Sequence, residues 1–166
     1  GDASAALGFL ARADEIHPSS PRVKQLLGSA LIQLERPEDG LRLFAESAAI
    51  GGLTREILRD RGLAFDLRGD PRRAQADYAE ALKRGADDEV ARRYALSLGA
   101  TGDREQALRL LEPLIRKQDQ AAWRARAFVM AMTGDLRSAE RIVAEVMPSN
   151  LVGTLGNFMR RLTNLT

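Results

Sequence analysis

Cysteine is absent from the 166 residues, and histidine occurs once. Without thiols the chain can form neither disulfide bonds nor thiolate metal sites. The single histidine, His17, lies in the stretch HPSSP, whose prolines predict an exposed turn. A metal site needs several histidines or a cluster of carboxylates, and the sequence contains no glycine-rich phosphate-binding loop. We therefore expect no catalytic site, no metal and no cofactor, and predict that the chain is not an enzyme.

Long apolar runs are also missing, since none approaches the ~20 residues needed to cross a bilayer. We therefore expect no direct insertion of these residues into a membrane. Aromatic residues make up 5% of the chain, which favours helices packed through small side chains over a sandwich or barrel. The net charge is +2, and acidic and basic residues alternate along the chain. The sequence therefore contains no block of basic residues that would indicate nucleic-acid binding.

A recurring Gly-Asp-x-x-x-Ala motif is the most informative feature that the sequence does contain. The stretches TGDREQALRLLEPLI, from Thr101, and TGDLRSAERIVAEVM, from Thr133, carry it most clearly. Aligned on the alanine, five copies lie at positions 6, 40, 74, 107 and 139, with glycine replacing alanine at position 40. Steps of 32 to 34 residues with helical patterning indicate a solenoid built from helix pairs.

Each part of the motif has a structural role in joining two helices. Glycine tolerates the left-handed conformation that ends the first helix. Aspartate near the start of the second helix accepts hydrogen bonds from its free backbone N–H groups. Alanine is small because the two helices cross closely there. The register predicts helices Asp2–Ile16, Pro21–Leu34, Pro37–Ile50, Thr54–Leu67, Pro71–Arg84, Asp87–Ala100, Arg104–Lys117, Gln120–Met132 and Leu136–Met147.

The same register divides a single solenoid, residues 1–166, into a half repeat, four repeats and a terminal helix. The bounds are 1–18, 21–52, 54–86, 87–119, 120–148 and 150–163. The terminal segment has apolar residues at helical spacing and is predicted to cover the last repeat. Pro113 lies within a predicted helix, where it removes a backbone donor and is expected to bend or interrupt the helix near Arg109.

The motif resembles the tetratricopeptide repeat (TPR) over residues 1–148. The resemblance implies an all-α fold: a right-handed TPR-like α-solenoid of antiparallel helix pairs with a C-terminal capping helix. It also implies a non-catalytic interaction scaffold, whose partner the fold does not name. The family's small and aromatic positions are matched by Gly62, Phe65, Ala74, Tyr78 and Ala81, by Trp123, Ala127 and Met130, and by Ala6, Ala13 and Pro18.

A second resemblance covers Arg124–Leu151, which is similar to the last repeat of bacterial pilus-assembly TPR proteins of the TadD kind. It implies an assembly factor for tight-adherence (Flp) pili that acts on the secretin. Such a factor is periplasmic or associated with the outer membrane; the alternative is a cytoplasmic location. The matching residues are Ala127, Met130, Thr133, Gly134, Asp135, Ala139, Ile142 and Pro148.

The TPR resemblance further implies that the first helices of the repeats line a concave groove. A row of arginines beside a row of apolar residues then predicts a protein or peptide partner with acidic and apolar side chains. The alternative is that Glu56–Arg59 and Glu89–Arg92 are ordinary pairs within one helix. The polar row is Gln25, Arg59, Arg92 and Arg124, and the apolar row is Leu63, Leu96, Phe128 and Met132.

Two other functions stay open at this point. The end faces of the first and last helices could stack on another copy, which predicts a self-associating structural module in another envelope or regulatory complex. RNA binding by a related helical-repeat array would need a basic groove, whereas the predicted groove alternates charge with apolar residues. Binding of chaperone C-termini is not expected, because the asparagines lie only in or directly after the predicted terminal helix, at Asn150, Asn157 and Asn164.

Overall fold

The computed structural model describes residues 2–146, which form nine α-helices. Within that range no β-strand occurs, and every helix end predicted inside it lies within one residue of the observed one. The predicted terminal helix, 150–163, lies outside the described residues, as does Met147. The helices are α1 Asp2–Ile16, α2 Pro21–Gln33, α3 Pro37–Gly51, α4 Arg55–Leu67, α5 Pro71–Lys83, α6 Asp88–Ala100, α7 Arg104–Arg116, α8 Gln120–Met132 and α9 Leu136–Val146.

The chain divides into two compact units, residues 1–86 and 87–166. In the first unit, α2 packs on α3 and α4 on α5, and α1 contacts α2. In the second unit, α6 pairs with α7 and α8 with α9, while α8 also contacts α6 and α7. These successive helix pairs confirm the predicted all-α repeat architecture. The boundary between the units falls between two predicted repeats, and the single solenoid over residues 1–166 stays a prediction.

Three glycines end the first helices of their repeats, as the motif predicts. Gly69, Gly102 and Gly134 have φ angles of 77°, 87° and 93°, a region that other residues rarely adopt. The aspartate after each glycine accepts a hydrogen bond from the backbone N–H three residues later. These pairs are Asp70 with Arg73, Asp103 with Gln106, and Asp135 with Ser138. In the copy at position 40, where glycine replaces alanine, Glu35 has the positive φ angle, 56°. The side chain of Arg36, at the N-cap of α3, makes no capping hydrogen bond.

The alanines of the motif are buried where two helices cross. Ala74, Ala107 and Ala139 have no exposed surface. At position 40, where glycine replaces the alanine, a Cβ would lie 2.3 Å from Cδ1 of Ile32. Ile32 of α2 therefore fills the volume that the alanine side chain fills in the other repeats, which explains why this copy departs from the motif.

Gly62 of α4 lies against the buried ring of Tyr78 on α5. A Cβ at Gly62 would lie 2.5 Å from Cε1 of that ring, so we expect Gly62→Ala to lower the free energy of unfolding by about 1–3 kcal/mol through overpacking. At Gly8 of α1, a Cβ would meet no atom within 4 Å. Gly8→Ala should therefore raise the free energy of unfolding by about 0.5–1 kcal/mol, because alanine favours the helix.

Urea denaturation followed by circular dichroism measures both variants. Opposite signs are the expected result. Equal effects of the two substitutions would contradict the close approach of α4 and α5 at Gly62.

Pro113 lies inside α7 without ending it. The helix runs from Arg104 to Arg116, and the N–H of Lys117 donates to the Pro113 carbonyl over 3.3 Å. The interruption expected near Arg109 therefore does not occur. Pro113 is exposed, so its ring occupies solvent rather than space needed by a neighbouring helix.

Candidate functional site

The predicted groove residues are distributed over both units. Gln25, Arg59 and Leu63 lie on α2 and α4 of the first unit, whereas Arg92, Leu96, Arg124, Phe128 and Met132 lie on α6 and α8 of the second. The row of three arginines that would run through both units stays a prediction.

Gln25 contributes to packing in the first unit rather than to an open surface. Its side chain is buried, and its Oε1 accepts a hydrogen bond from Oγ1 of Thr54 over 3.1 Å. Thr54 is also the N-cap of α4, where it accepts from the N–H of Ile57. Gln25 therefore fixes the start of α4 against α2 and offers little surface to a ligand.

Arg59 is engaged by a carboxylate that the sequence did not single out. Its Nε donates to Oδ1 of Asp60 over 2.9 Å, and its Nη2 donates to Oδ2 over 3.2 Å. Asp60 is buried and also accepts from Oγ of Ser29, on α2, over 2.6 Å. The charge of Arg59 is therefore compensated within the unit, and Leu63 lies half-buried one turn further along α4.

The second unit brings four of the predicted residues together in one cleft. This α6–α8 cleft has a volume of about 310 Å³. Met132 does not line it; a Cβ on Gly99 would lie 3.0 Å from its Cε, so Met132 packs near the end of α6. The cleft is lined by Glu89, Arg92, Arg93, Leu96, Ala121, Arg124, Ala125 and Phe128.

Arg92 connects the two helices of this cleft. Its Nη1 donates to Oδ2 of Asp119 over 2.6 Å. The other carboxylate oxygen of Asp119 caps α8 by accepting from the N–H groups of Ala121 and Ala122. Arg92 therefore ties α6 to the N-terminus of α8. The alternative pair Glu89–Arg92 is wrong, because Glu89 instead binds Arg93, one turn away, over 2.5 Å.

Arg124 differs from the basic residues of the preceding repeat. It is exposed and makes no ion pair or side-chain hydrogen bond within residues 2–146. Every basic residue of 87–119, by contrast, is paired with a carboxylate. Those pairs are Arg92–Asp119, Arg93–Glu89, Arg104–Asp135, Arg109–Glu105, Arg116–Glu112 and Lys117–Asp88.

The α6–α8 cleft therefore combines one uncompensated guanidinium with an apolar wall. Arg124 and Phe128 are one turn apart on the same face of α8, and Leu96 faces them from α6. A guanidinium can bind a carboxylate through two parallel hydrogen bonds, while half-buried apolar side chains gain from covering by a ligand.

The described helices give no support for two other kinds of site. In that part of the chain, no helix is both long and apolar enough to cross a membrane. Likewise, no three His, Asp or Glu side chains among the described residues are grouped so that they could hold a metal ion.

Comparison with known proteins identifies the fold and the family. A chain in the structure of Naa15/Naa10 bound to HypK-THB is 18% identical, with a TM-score of 0.55 over 84% of this chain and 22% of that one. At this identity the likeness shows the fold alone, and the present chain spans about a fifth of that chain. A search of curated proteins finds no match.

The sequence profile described as "Tetratrico peptide repeat" matches residues 55–166. This match covers well over half of the chain and includes both helices of the α6–α8 cleft. Members of this family are generally scaffolds for protein interactions rather than enzymes. The chain belongs to the tetratricopeptide repeat family.

Proposed function

We propose that this protein is a non-catalytic scaffold that binds a protein segment with acidic and apolar side chains in the α6–α8 cleft. The observation that carries the proposal is Arg124, which is exposed and has no carboxylate partner among the described residues, beside Leu96 and Phe128. A carboxylate of the partner would bind Arg124, and an apolar side chain next to it would cover Leu96 and Phe128.

The expected energies fit recognition of a short segment. A hydrogen bond to a charged group contributes about 1.5–3 kcal/mol, and burial of one large apolar side chain contributes about 1.5–3 kcal/mol. Arg92 contributes indirectly, because its bond to Asp119 holds α8 beside α6. The cleft therefore selects for an acidic residue next to an apolar one.

Selection of binders from a library of short random peptides tests this proposal. We expect enriched peptides to carry Asp or Glu within a few residues of Leu or Phe, and we expect Arg124→Gln to weaken their binding about tenfold or more. Arg72→Gln is the matched control, because Arg72 is also exposed and unpaired among the described residues but lies on α5. Fluorescence anisotropy with the labelled peptides gives the affinities. Equal affinities of both variants would refute the assignment of Arg124.

The proposed biological setting is the assembly of a bacterial tight-adherence pilus, with the secretin as partner and a location in the periplasm or at the outer membrane. The similarity of residues 124–151 to TadD-like proteins supports it. Affinity capture from membranes, with wild-type and Arg124→Glu baits, tests it. Enrichment of secretin or pilus components by the wild type alone is expected. Capture of cytosolic proteins alone would reject this setting without rejecting the cleft.

A self-associating structural module is the second candidate function. The observation that favours it is an apolar surface on α1, where Phe9 is 81% exposed and Ile16 is 63% exposed. A second copy that covers these side chains would gain from their burial. Light scattering over a range of concentrations distinguishes the candidates, since a strict monomer that still binds the selected peptides excludes self-association.

A further inference from the structure

The basic residues of the chain are least compensated at its C-terminal end. Residues 120–166 contain six arginines but only three carboxylate side chains, and residues 147–166 contain no aspartate or glutamate at all. One of the three carboxylates, Asp135, already binds Arg104 over 2.9 Å. Hydrogen bonds from Ser138 and from Arg104 hold the pKa of Asp135 below its ordinary value of 3.8. The last repeat and the residues after it therefore supply few carboxylates of their own to these arginines.

Arg126 has a buried donor that is not satisfied. Its Nε lacks a hydrogen-bond partner in the described part of the chain, which is uncommon for a buried polar atom and points to a missing group. Its guanidinium lies over the ring of Trp123, with Cζ 5.7 Å from the ring centre. This stacking orients the guanidinium but gives its Nε no hydrogen-bond acceptor.

Two acids that share a cleft with Arg126 are engaged elsewhere. Glu105 and Glu112 share with it a cleft of about 370 Å³ over α7. Glu105 binds Arg109 over 2.9 Å, and Glu112 binds Arg116 over 2.5 Å. Neither of these two acids therefore serves as the acceptor for Arg126.

A second cleft places another arginine near Arg126. This α8–α9 cleft has a volume of about 240 Å³. Met130 and Ile142 are buried in it, whereas Arg141 is exposed and makes no ion pair within residues 2–146. The cleft is lined by Trp123, Arg126, Met130, Ser138, Arg141 and Ile142.

We propose that the α8–α9 cleft is a second recognition site, in which Arg126 and Arg141 bind a carboxylate side chain of an acidic protein segment. Two guanidinium groups beside a flat indole ring suit a planar carboxylate. The apolar side chains Met130 and Ile142 beside the two arginines favour a protein segment over a nucleic acid. This inference rests on the proposed function, because it assigns a second acidic residue to the same partner. α8 would then be contacted through both Arg124 and Arg126.

Tryptophan fluorescence tests the site directly, because Trp123 is the single tryptophan of the chain. We expect titration with hexaglutamate at low ionic strength to change the fluorescence of Trp123 in a saturable way, and hexaglutamine to cause no change. Arg141→Gln should weaken hexaglutamate binding about tenfold. Arg137→Gln is the matched control, since Arg137 is an exposed, unpaired arginine of α9 that does not line the cleft. This control should bind like the wild type.

Three results would overturn the site. They are no saturable change with hexaglutamate, equal weakening by Arg137→Gln and Arg141→Gln, and a response to inorganic tripolyphosphate but not to hexaglutamate. Arg124→Gln separates this inference from the proposed function. It should leave the Trp123 titration unchanged while weakening the peptides selected for the α6–α8 cleft, so either site can fail without the other.

Discussion

Replacing Tyr78 with alanine is expected to lower the free energy of unfolding of the first unit by about 3–5 kcal/mol. The side chain has no exposed surface, and its ring packs against Gly62 where α4 and α5 cross. Its hydroxyl donates to Oδ2 of Asp66 over 3.0 Å. Alanine would leave a cavity at this crossing, and Gly62 has no side chain that could fill it.

Hydrogen exchange followed by mass spectrometry locates this effect. We expect peptides from α4 and α5 to lose protection in Tyr78→Ala. Tyr78→Phe is the matched control, because it keeps the ring and removes only the hydroxyl, at a cost of about 0.5–1.5 kcal/mol. If both variants lower the free energy of unfolding by the same amount, the ring does not hold α4 against α5.

The second large effect is expected from Asp77, which is buried and binds Arg61 through two hydrogen bonds. Nε of Arg61 donates to Oδ2 over 2.7 Å, and Nη2 donates to Oδ1 over 2.8 Å. The same contact raises the pKa of Arg61 above its ordinary value. Breaking a fully buried pair costs about 3–5 kcal/mol. Since the Arg61 side chain is 30% exposed, we expect Asp77→Ala to cost about 2–3 kcal/mol.

A double variant separates the ion pair from simple packing. Arg61→Met with Asp77→Leu replaces both charged groups with apolar side chains, which is often neutral in stability. We expect this variant to recover most of the stability that Asp77→Ala loses, as measured by urea denaturation. A double variant as unstable as Asp77→Ala would show that the cost arises from packing and not from an unpaired charge.

The positions of the helices could be predicted because their signals are local. Asp103 and Asp135 cap the helices that follow them, and Gly102 and Gly134 end the helices before them, through contacts with residues close in sequence. The copy at position 40 departs from the motif for a reason that lies on another helix. Gly40 departs from the motif because Ile32, on the preceding helix, fills the space of the missing methyl group.

The structure brings some of the predicted groove residues together and leaves others apart. The helical register placed Arg92, Leu96, Arg124 and Phe128 on one surface, and they do line one cleft. The same register gave Gln25 an equivalent position, yet Gln25 is buried because Thr54 binds its amide oxygen. Residues at equivalent positions of a repeat therefore differ in exposure according to their neighbours on other helices.

By itself, the sequence determined the family and the positions of the described helices, because these follow from spacing and from local capping. Only the tertiary structure decided which arginines are available to a partner. Asp119 lies 27 residues from Arg92, and the acids near Arg126 bind other arginines of α7. An ion pair forms wherever folding brings opposite charges within a few ångströms, and no periodicity in the chain encodes that distance.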